Sequence, residues 1–355
     1  MKSKKAMVAA LTATMAFLFT QFAFAATPIV TTSPTFSLDF SDSSKKSGST
    51  WTDQIAGLSA TENGTSYSTE LGGIESFTSS NSYLDFGKPA IGTAANPSSD
   101  ITAELWFRIS TFNANWNILL SRWFDNTGGT AVASDFHFSV YSDTGANTPQ
   151  INIYTTGKSD LRGTTTLVAN KWYYAAFSVD NSSATKKLTL YLNGQAENTF
   201  TSATALRTAN TNNNLWVGDA RGAVAPNGQI AKVRIYNRAL TAAEVKSNFD
   251  VERITFGYTT ALSLAASNGI YRNSQTLTTS SVNQGKVTFF ANGKKIPGCI
   301  NVAQTGSGPY VAICTWKPTL HGFNNLKAYL EPTNIRLAPS SITATNFVTK
   351  RSNNR

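Results

Sequence analysis

Aromatic and polar side chains that could contact a sugar are concentrated in one short stretch of this sequence. The apolar C–H faces of sugar rings pack on exposed tryptophan, and carboxylate, imidazole and guanidinium groups hydrogen-bond the hydroxyls. The alternative is that the tryptophans pack in the core or at its rim. The candidate ligand contacts, expected in loops and on an adjoining strand, are Trp116, Arg122, Trp123, Asp125 and His137.

Few residues of this sequence are candidates for catalysis. A glycosidase needs two carboxylates about 5 to 9.5 Å apart, but Glu104 is the lone acid on its strand. Asp39 and Asp42 fall in a turn-rich opening, where turn and capping roles are expected. A serine hydrolase needs a histidine base, and the candidates are His137 and His321. We predict no enzyme activity, although carboxylates from distant strands could still meet.

The same scarcity applies to metals. With 2 cysteines and 2 histidines far apart, the chain has little from which to build a zinc site. Calcium prefers oxygen ligands, and Asp125, Asp135 and Asp219 could supply them from different loops, but no loop has EF-hand spacing. Each aspartate suits a turn better than a calcium site. We predict no metal site and no cofactor, with calcium left as a possibility.

The cysteines, Cys299 and Cys314, fall within one segment of the chain. In an oxidising compartment such a pair predicts a disulfide, which would stabilise the fold by about 3 kcal/mol.

The first 25 residues have the layout of a secretory signal peptide. A basic start precedes an apolar run at 6–24, and Ala23 and Ala25 are the small residues before the predicted cleavage site. The alternative is an uncleaved anchor, because the run is close to the roughly 18 residues that a membrane span needs. We expect a secreted or cell-surface protein without a transmembrane segment in the mature chain.

The formal charge of +10 does not indicate a nucleic-acid partner. Loss of Lys2, Lys4 and Lys5 with the signal leaves +7, and three cations among the last six residues reduce the folded body to +4. The chain shows no basic stripe and no nucleic-acid recognition motif. A mild preference for anionic surfaces or acidic polysaccharides is compatible with this charge.

Short stretches that alternate apolar and polar residues predict antiparallel strands from residue 36 onward. Thr102, Glu104, Trp106 and Arg108 fall on one side of the first long strand, which we expect to be the wet side, although Trp106, like Trp172 and Trp216, is expected to pack in the core. A capping box at Thr241 and Glu244 predicts a helix over 242–249. The predicted strands of this unit are 101–109, 136–141, 151–154, 172–179, 187–192, 215–218 and 230–236.

Several motifs, taken in chain order, resemble bacterial laminin-G-like, concanavalin A-like jelly rolls over residues 34–250. The most specific is 228–245, Gly-Gln-Ile-Ala-Lys-Val-Arg-Ile-Tyr-Asn-Arg-Ala-Leu-Thr-Ala-Ala-Glu-Val, which would couple an edge strand to the capped helix. The other motifs are Phe-Ser-Leu-Asp-Phe at 36–40, Ser-Thr-Trp-Thr-Asp at 49–53, Glu-Leu-Trp-Phe at 104–107, Lys-Trp-Tyr-Tyr at 171–174 and Leu-Tyr-Leu-Asn-Gly at 190–194.

Residues 254–335 resemble a bacterial Ig-like domain, with Gly-Lys-Val-Thr-Phe-Phe at 285–290 and Leu-His-Gly-Phe at 320–323 as its markers. The cysteine pair is an addition to that pattern. Residues 336–355 are expected to be a polar, basic tail that is loose from Asn346 onward. The fold class expected for the whole chain is therefore all-β, a jelly-roll sandwich followed by a small Ig-like β-sandwich.

The resemblance implies two facing antiparallel sheets that bind glycans or surface proteins on the concave face or the rim loops, in some relatives through calcium. Some relatives carry glycosidase chemistry, but the Glu-x-Asp-x-x-Glu string of that branch does not occur here. We favour a secreted or cell-surface, non-catalytic binding or adhesion protein whose partner is a polysaccharide or cell-surface glycan. The alternatives are a glycoside hydrolase or lyase and a structural envelope or appendage protein that binds another protein.

Overall fold

A computed structural model describes residues 34–78, 81–90, 92–122, 135–143, 148–219, 225–334 and 337–350. The predicted signal peptide lies outside these residues. The described chain is all-β apart from short helical segments and is built from two sandwich units. Within the described residues, no helix is both long and apolar enough to cross a membrane.

The larger unit begins with short strands and continues with longer ones, as its alternating sequence predicts. One α-helix, α1 (Ala242–Glu252), follows the last of them. The strands are β1 (Phe36–Asp39), β2 (Lys46–Ser47), β3 (Thr50–Thr52), β4 (Ser59–Asn63), β5 (Thr65–Ser68), β6 (Ile74–Phe77), β7 (Tyr83–Asp85), β8 (Ile101–Thr111), β9 (Asn115–Arg122), β10 (Phe136–Ser142), β11 (Gln150–Thr155), β12 (Lys158–Arg162), β13 (Trp172–Asp180), β14 (Lys186–Leu192), β15 (Gln195–Ser202), β16 (Trp216–Gly218) and β17 (Asn227–Tyr236).

These strands form two antiparallel sheets. The first sheet has the order β15-β14-β13-β8-β17-β6-β5, with β1 also paired to β17. The second sheet has the order β12-β11-β10-β9-β16-β7-β4-β3-β2. Strand β17 therefore lies inside the first sheet, between β8 and β6, and the expectation that it is an edge strand is wrong.

The main core lies between the two sheets. Alternate residues of β8, such as Leu105 and Phe107, belong to this core and are at most 1% exposed. Across the sandwich, Phe177 of β13 contacts Phe136 and Phe138 of β10, with ring centroids 5.1 and 5.2 Å apart. Each fully buried side chain of this size contributes roughly 1.5 to 3 kcal/mol through the hydrophobic effect. Because side chains alternate along a strand, the neighbours of these residues point away from the core.

The outer face of the first sheet is covered by α1, which confirms the predicted helix and extends it to Glu252. Thr241 caps the helix with the predicted capping box to Glu244. Trp106 packs on Phe249 and stacks on Phe256 with ring centroids 5.7 and 4.0 Å apart. The expectation of a wet face on β8 is therefore wrong, because a second apolar layer forms between this face and the helix.

The smaller unit is a sandwich of a three-stranded and a six-stranded sheet. The first has the order β18-β20-β24, and the second has the order β19-β26-β25-β21-β22 with β23 also paired to β21. Cys299 and Cys314 are disulfide-bonded with Cα atoms 5.4 Å apart, as predicted, within the core of this unit. The strands are β18 (Leu262–Ala266), β19 (Gly269–Ile270), β20 (Gln275–Ser281), β21 (Gly285–Ala291), β22 (Lys294–Lys295), β23 (Val302–Ala303), β24 (Tyr310–Trp316), β25 (Gly322–Pro332) and β26 (Ser340–Thr349).

The expected polar tail is instead largely strand. β26 pairs with β25 along nine residues, from Ser340 opposite Leu330 to Val348 opposite Gly322. Its sequence is polar because only one side meets the core, where Asn346 and Val348 are buried. A strand with hydroxyl residues on its solvent side resembles a polar tail in composition, which explains the incorrect expectation.

Candidate functional site

Two of the five predicted ligand contacts meet on the outer face of the second sheet. Trp116 lies on β9 and His137 on β10, with ring centroids 4.7 Å apart. Trp116 was expected in a loop, but it belongs to a strand. Tyr141 stands directly opposite Trp116 across the β9–β10 ladder, and these rings make an edge contact at 4.6 Å.

The next strand, β11, extends this cluster. Tyr154 stands opposite His137, with ring centroids 5.2 Å apart. Trp116, Tyr141 and Tyr154 are half-buried, whereas His137 is only 5% exposed beneath them. We call Trp116, His137, Tyr141 and Tyr154 the aromatic face.

A rim of charged and amide side chains borders the aromatic face. The Arg162 guanidinium lies over the Tyr141 ring at 3.8 Å from its centroid. It pairs with Asp143 at 3.2 Å and approaches Asp160 at 3.9 Å. The side chains of Arg162, Asp143 and Asp160 are 32%, 48% and 39% exposed. Their polar groups therefore remain within reach of a solute on the face.

The strand register fixes this arrangement. Arg162 on β12 is the neighbour of Asn152 on β11, and the Asn152 amide donates to Asp160 at 3.4 Å. Asp160 has a φ of 48°, a left-handed conformation that aspartate tolerates better than most residues. The Tyr141 hydroxyl donates to Asn115 at 3.4 Å at the other end of the face. The aromatic rings of the protein are thus bordered by hydrogen-bond donors and acceptors. A sugar requires this combination, because its ring face is apolar and its hydroxyls form hydrogen bonds.

Sequence reasoning missed most of this site. Tyr141, Tyr154 and Arg162 lie up to 46 positions from Trp116 in the chain and become neighbours only through strand pairing. Because side chains alternate along a strand, Tyr141 and His137 lie on the same side of β10. The sequence alone could therefore have identified Tyr141 as part of the site. The pairing partners of β10 were not available from the sequence.

The other predicted contacts are not on the aromatic face as far as the structure describes them. Arg122 is fully buried and pairs with Asp135 at 3.1 Å. Burial lowers the pKa of Arg122, and the charge of Asp135 opposes that shift. Arg207 also binds Asp135, at 2.6 Å from Nη2. Trp123 and Asp125 lie outside the described residues.

This buried cluster also tests the calcium alternative. Both carboxylate oxygens of Asp135 are engaged by guanidinium groups, so Asp135 does not fit a calcium ligand. Asp219 is fully buried, and Asp125 lies outside the described residues. Among the residues that the structure places, no group of three or more His, Cys, Asp or Glu side chains could hold a metal ion.

Glu104, the acid considered for hydrolysis, is buried beneath α1. It accepts hydrogen bonds from Arg234 at 2.7 Å, Tyr236 at 3.0 Å and Asn248 at 2.9 Å, and it also bonds Tyr174. The residue is 1% exposed, and all of these partners belong to the protein. A substrate therefore cannot reach Glu104 in this structure.

Glu252 on α1 completes the network on the same side of the sheet. It accepts from Trp106 Nε1 at 2.8 Å and pairs with Arg234 and Lys232. Burial alone would raise the pKa of Glu252, but the charges of Arg234 and Lys232 outweigh burial and lower it. These contacts fasten the helix to the sheet.

A separate buried carboxylate, Glu75, lies on β6. Trp51 Nε1 donates to Glu75 and to Glu62, at 3.1 Å in each case. Burial, with a further contribution from the charge of Glu62, raises the pKa of Glu75 to about 7. Lys46 pairs with Glu62 rather than with Glu75. Glu75 is fully buried and is therefore closed to a substrate, whereas the Glu62 side chain is 15% exposed and is held by Lys46.

Residues 78–246 match the family model described as the concanavalin A-like lectin/glucanases superfamily. The larger unit, with its facing antiparallel sheets, therefore contains a concanavalin A-like domain. Comparison with curated protein sequences gives no match.

Solved structures with a similar arrangement include carbohydrate-active and pentraxin proteins. Domain 4 of AbnA, a GH43 extracellular arabinanase from Geobacillus stearothermophilus in complex with arabinotriose, has 16% identity and a TM-score of 0.46, and the match covers 61% of this chain and 97% of that one. A Trypanosoma rangeli sialidase has 16% identity and a TM-score of 0.47 over 64% of this chain, but only 34% of the sialidase is covered. A SAP-like pentraxin from Limulus polyphemus has 15% identity and a TM-score of 0.34, over 42% of this chain and 70% of that one. With similarity this low, these structures assign no ligand to this chain.

Proposed function

We propose that the protein is an extracellular, non-catalytic carbohydrate-binding protein whose ligand lies on the aromatic face. The observation that carries this proposal is the set of half-buried rings, Trp116, Tyr141 and Tyr154, on the outer side of the second sheet. Sugar rings pack on such surfaces because their C–H faces are apolar. Arg162 and Asp143 offer charged hydrogen-bonding groups beside the rings.

Several features favour binding over hydrolysis. Glu104 and Glu75 are closed to a substrate, and Asp143 and Asp160 both face the guanidinium of Arg162. A glycosidase instead places two carboxyl groups on either side of the scissile bond, with an open gap between them. The described carboxylates of the site thus serve better as acceptors for sugar hydroxyls.

The smaller unit supports an extracellular role for the protein. Its disulfide fits an oxidising compartment, in agreement with the signal peptide expected at residues 1–25. We propose that this unit is an Ig-like domain that serves as a spacer or as a second contact in adhesion.

A glycan array, probed with the full chain with and without a chelator, tests the proposal. We expect binding to a subset of polysaccharides that the chelator does not abolish. Trp116→Ala and Tyr141→Ala should weaken that binding, and Tyr310→Ala, which removes a half-buried ring from the smaller unit, should not. No binding to any polysaccharide would contradict the proposal.

A reducing-end assay on every polysaccharide that is bound separates binding from catalysis. We expect no release of reducing ends above the rate without protein. A hydrolytic activity that co-purifies with the protein and is lost in Trp116→Ala would show that the protein is not merely a binding protein. The aromatic face would then be a site of hydrolysis.

A further inference from the structure

The two units of this chain differ sharply in charge. Residues 26–253 carry 17 Lys and Arg and 19 Asp and Glu, whereas residues 254–355 carry 10 Lys and Arg and a single acid, Glu331. The excess positive charge of the mature chain therefore belongs to the smaller unit. A charge asymmetry of this size between two halves of a chain indicates an anionic partner for the basic half.

Four of these cations lie on the six-stranded sheet. Lys286 is on β21, Lys294 and Lys295 form β22, and Lys327 is on β25, and all are exposed. The inner side of this sheet is occupied by core residues such as Phe289 and Leu326. Because side chains alternate along each strand, Lys286 and Lys327 project from the outer side.

The strand register brings these cations together with aromatic rings. Phe290 stands opposite Lys327 on one neighbouring strand and opposite Lys295 on the other. Phe323 stands opposite Phe347 on β26, with ring centroids 5.0 Å apart, and the two are 80% and 40% exposed. We call Lys286, Phe290, Lys295, Phe323, Lys327 and Phe347 the basic sheet face.

The positive charge of this face is not neutralised within the described part of the protein. There, no carboxylate lies within 4.0 Å of Lys286, Lys295 or Lys327. Glu331 stands opposite Lys286 in the strand register but forms no ion pair with it. By contrast, most cations that border the jelly-roll core, such as Arg122 and Arg234, already have carboxylate partners.

We infer that the basic sheet face binds a polyanionic polysaccharide, as a second site that is separate from the aromatic face. Its lysines match the repeated carboxylate or sulfate groups of such a polymer, and exposed rings can pack against the sugar C–H faces. Rows of exposed hydroxyl and amide side chains, Ser341, Thr343, Thr345 and Asn325, run along β26 and β25 beside the lysines and can hydrogen-bond sugar hydroxyls.

A lipid surface fits these observations less well. Insertion into a bilayer requires a broad set of apolar side chains that protrude together. On the basic sheet face only Phe323 and Phe347 do so, and Phe290 is half-buried between two lysines. The hydroxyl rows would also lose their hydration against acyl chains without gaining partners. The face is therefore better suited to a hydrated polymer lying across the strands.

The test compares the binding of the full chain to polygalacturonate, a carboxylated polysaccharide, with its binding to neutral dextran. We expect polygalacturonate to bind and dextran not to bind, and we expect added salt to weaken the interaction because these charges are exposed. The triple variant Lys286→Gln, Lys295→Gln, Lys327→Gln should bind polygalacturonate about tenfold more weakly. The matched control, Lys88→Gln, Lys171→Gln, Lys187→Gln, removes the same charge from exposed positions of the jelly roll and should bind as the wild type does.

Thermal melting of the triple variant provides a second measurement, since removal of exposed lysines should leave its melting temperature near that of the wild type. Equal binding of the triple variant and the wild type would overturn the inference. So would tighter binding to vesicles of equal parts phosphatidylglycerol and phosphatidylcholine than to polygalacturonate. Loss of polygalacturonate binding in Trp116→Ala would also overturn it, because the anion would then lie on the aromatic face and the proposed function would stand.

Discussion

The outer faces of the two jelly-roll sheets carry similar residue types, but one face is buried and the other is partly exposed. On the first sheet, Glu104, Trp106 and Tyr174 lie beneath α1 and are at most 1% exposed. On the second sheet, Trp116 and Tyr141 remain half-buried at the surface. Both faces combine aromatic rings with charged groups.

The difference lies in how each face satisfies its charges. Under α1, Arg234 lies between the carboxylates of Glu104 and Glu252, because a charge removed from water needs a partner of opposite sign. On the aromatic face, Arg162 pairs with Asp143 while both remain partly hydrated. The charges of the first face therefore form a closed network inside the protein, whereas those of the aromatic face remain within reach of a solute.

The largest predicted effect comes from breaking the closed network. Arg234→Met leaves the buried Glu104 carboxylate without a cation and leaves Glu252 with Lys232 alone. We expect a loss of about 3 to 5 kcal/mol in the free energy of unfolding. Urea denaturation of the full chain measures it. Arg162→Met, the equivalent change on the aromatic face, should cost no more than about 0.5 kcal/mol. If Arg234→Met and Arg162→Met lowered the free energy of unfolding by similar amounts, the proposed difference between the two faces would be contradicted.

A buried carboxylate that lacks its own cation should behave differently from Glu104. The pKa of Glu75 is raised from 4.5 to about 7, so the folded state holds a proton that the unfolded state releases. Stability should therefore fall as pH rises from about 4.5 to about 7, by about 3 kcal/mol in all, and remain level above that range.

Glu75→Gln should remove this pH dependence and make the protein more stable than the wild type at alkaline pH. Glu104→Gln serves as the control, and it should destabilise the protein because it leaves Arg234 with one carboxylate fewer. Denaturation curves collected across the pH range provide the measurement. A difference in the free energy of unfolding between the wild type and Glu75→Gln that does not change from pH 4.5 to pH 7 would exclude a raised pKa for Glu75.

Removing a ring from the aromatic face should affect binding more than stability. For Trp116→Ala we expect glycan affinity to fall about tenfold, because a central aromatic contact typically contributes more than 1 kcal/mol to binding. Trp116→Phe keeps a smaller ring, so its glycan affinity should lie between that of Trp116→Ala and that of the wild type. Calorimetric titration with a glycan identified on the array gives the affinities. A loss of stability without any change in affinity would show that Trp116 is a structural residue like Trp106.

The smallest effect concerns the helix that closes the first face. Thr241→Ala removes the side chain that caps α1 and should cost about 1 kcal/mol. Thr241→Ser keeps the hydroxyl and should restore most of that loss. Hydrogen exchange of the helix amides, together with urea denaturation, reports the change. Faster exchange across the aromatic face instead of the helix would argue against separate roles for the two faces.

The local features of this fold were predictable from the sequence. The capping box fixed the start of α1, alternation located most of the long strands, and two cysteines in one segment predicted the disulfide. Each of these signals depends on residues that are close in the chain.

The features that were not predictable depend on pairing between distant segments. Glu104 alternates as a surface residue would, and its burial follows from a helix that begins more than a hundred residues later. Arg122 was a plausible ligand contact until Asp135 and Arg207 were found beside it. Trp116 and His137 were singled out from the sequence and lie in contact with each other, but Tyr154 and Arg162 join them only through the order of strands in the second sheet.

The pairing of β1 with β17 sets the order in which this protein can be completed during synthesis. The Thr35 hydroxyl donates to the carbonyl of Ile235 across 200 positions of sequence. A nascent chain that ends before residue 227 would leave Phe36 and Leu38 without the strand that shelters them. The jelly roll therefore cannot close until β17 has been synthesised, because β1 has no other strand with which to pair among those that the structure describes.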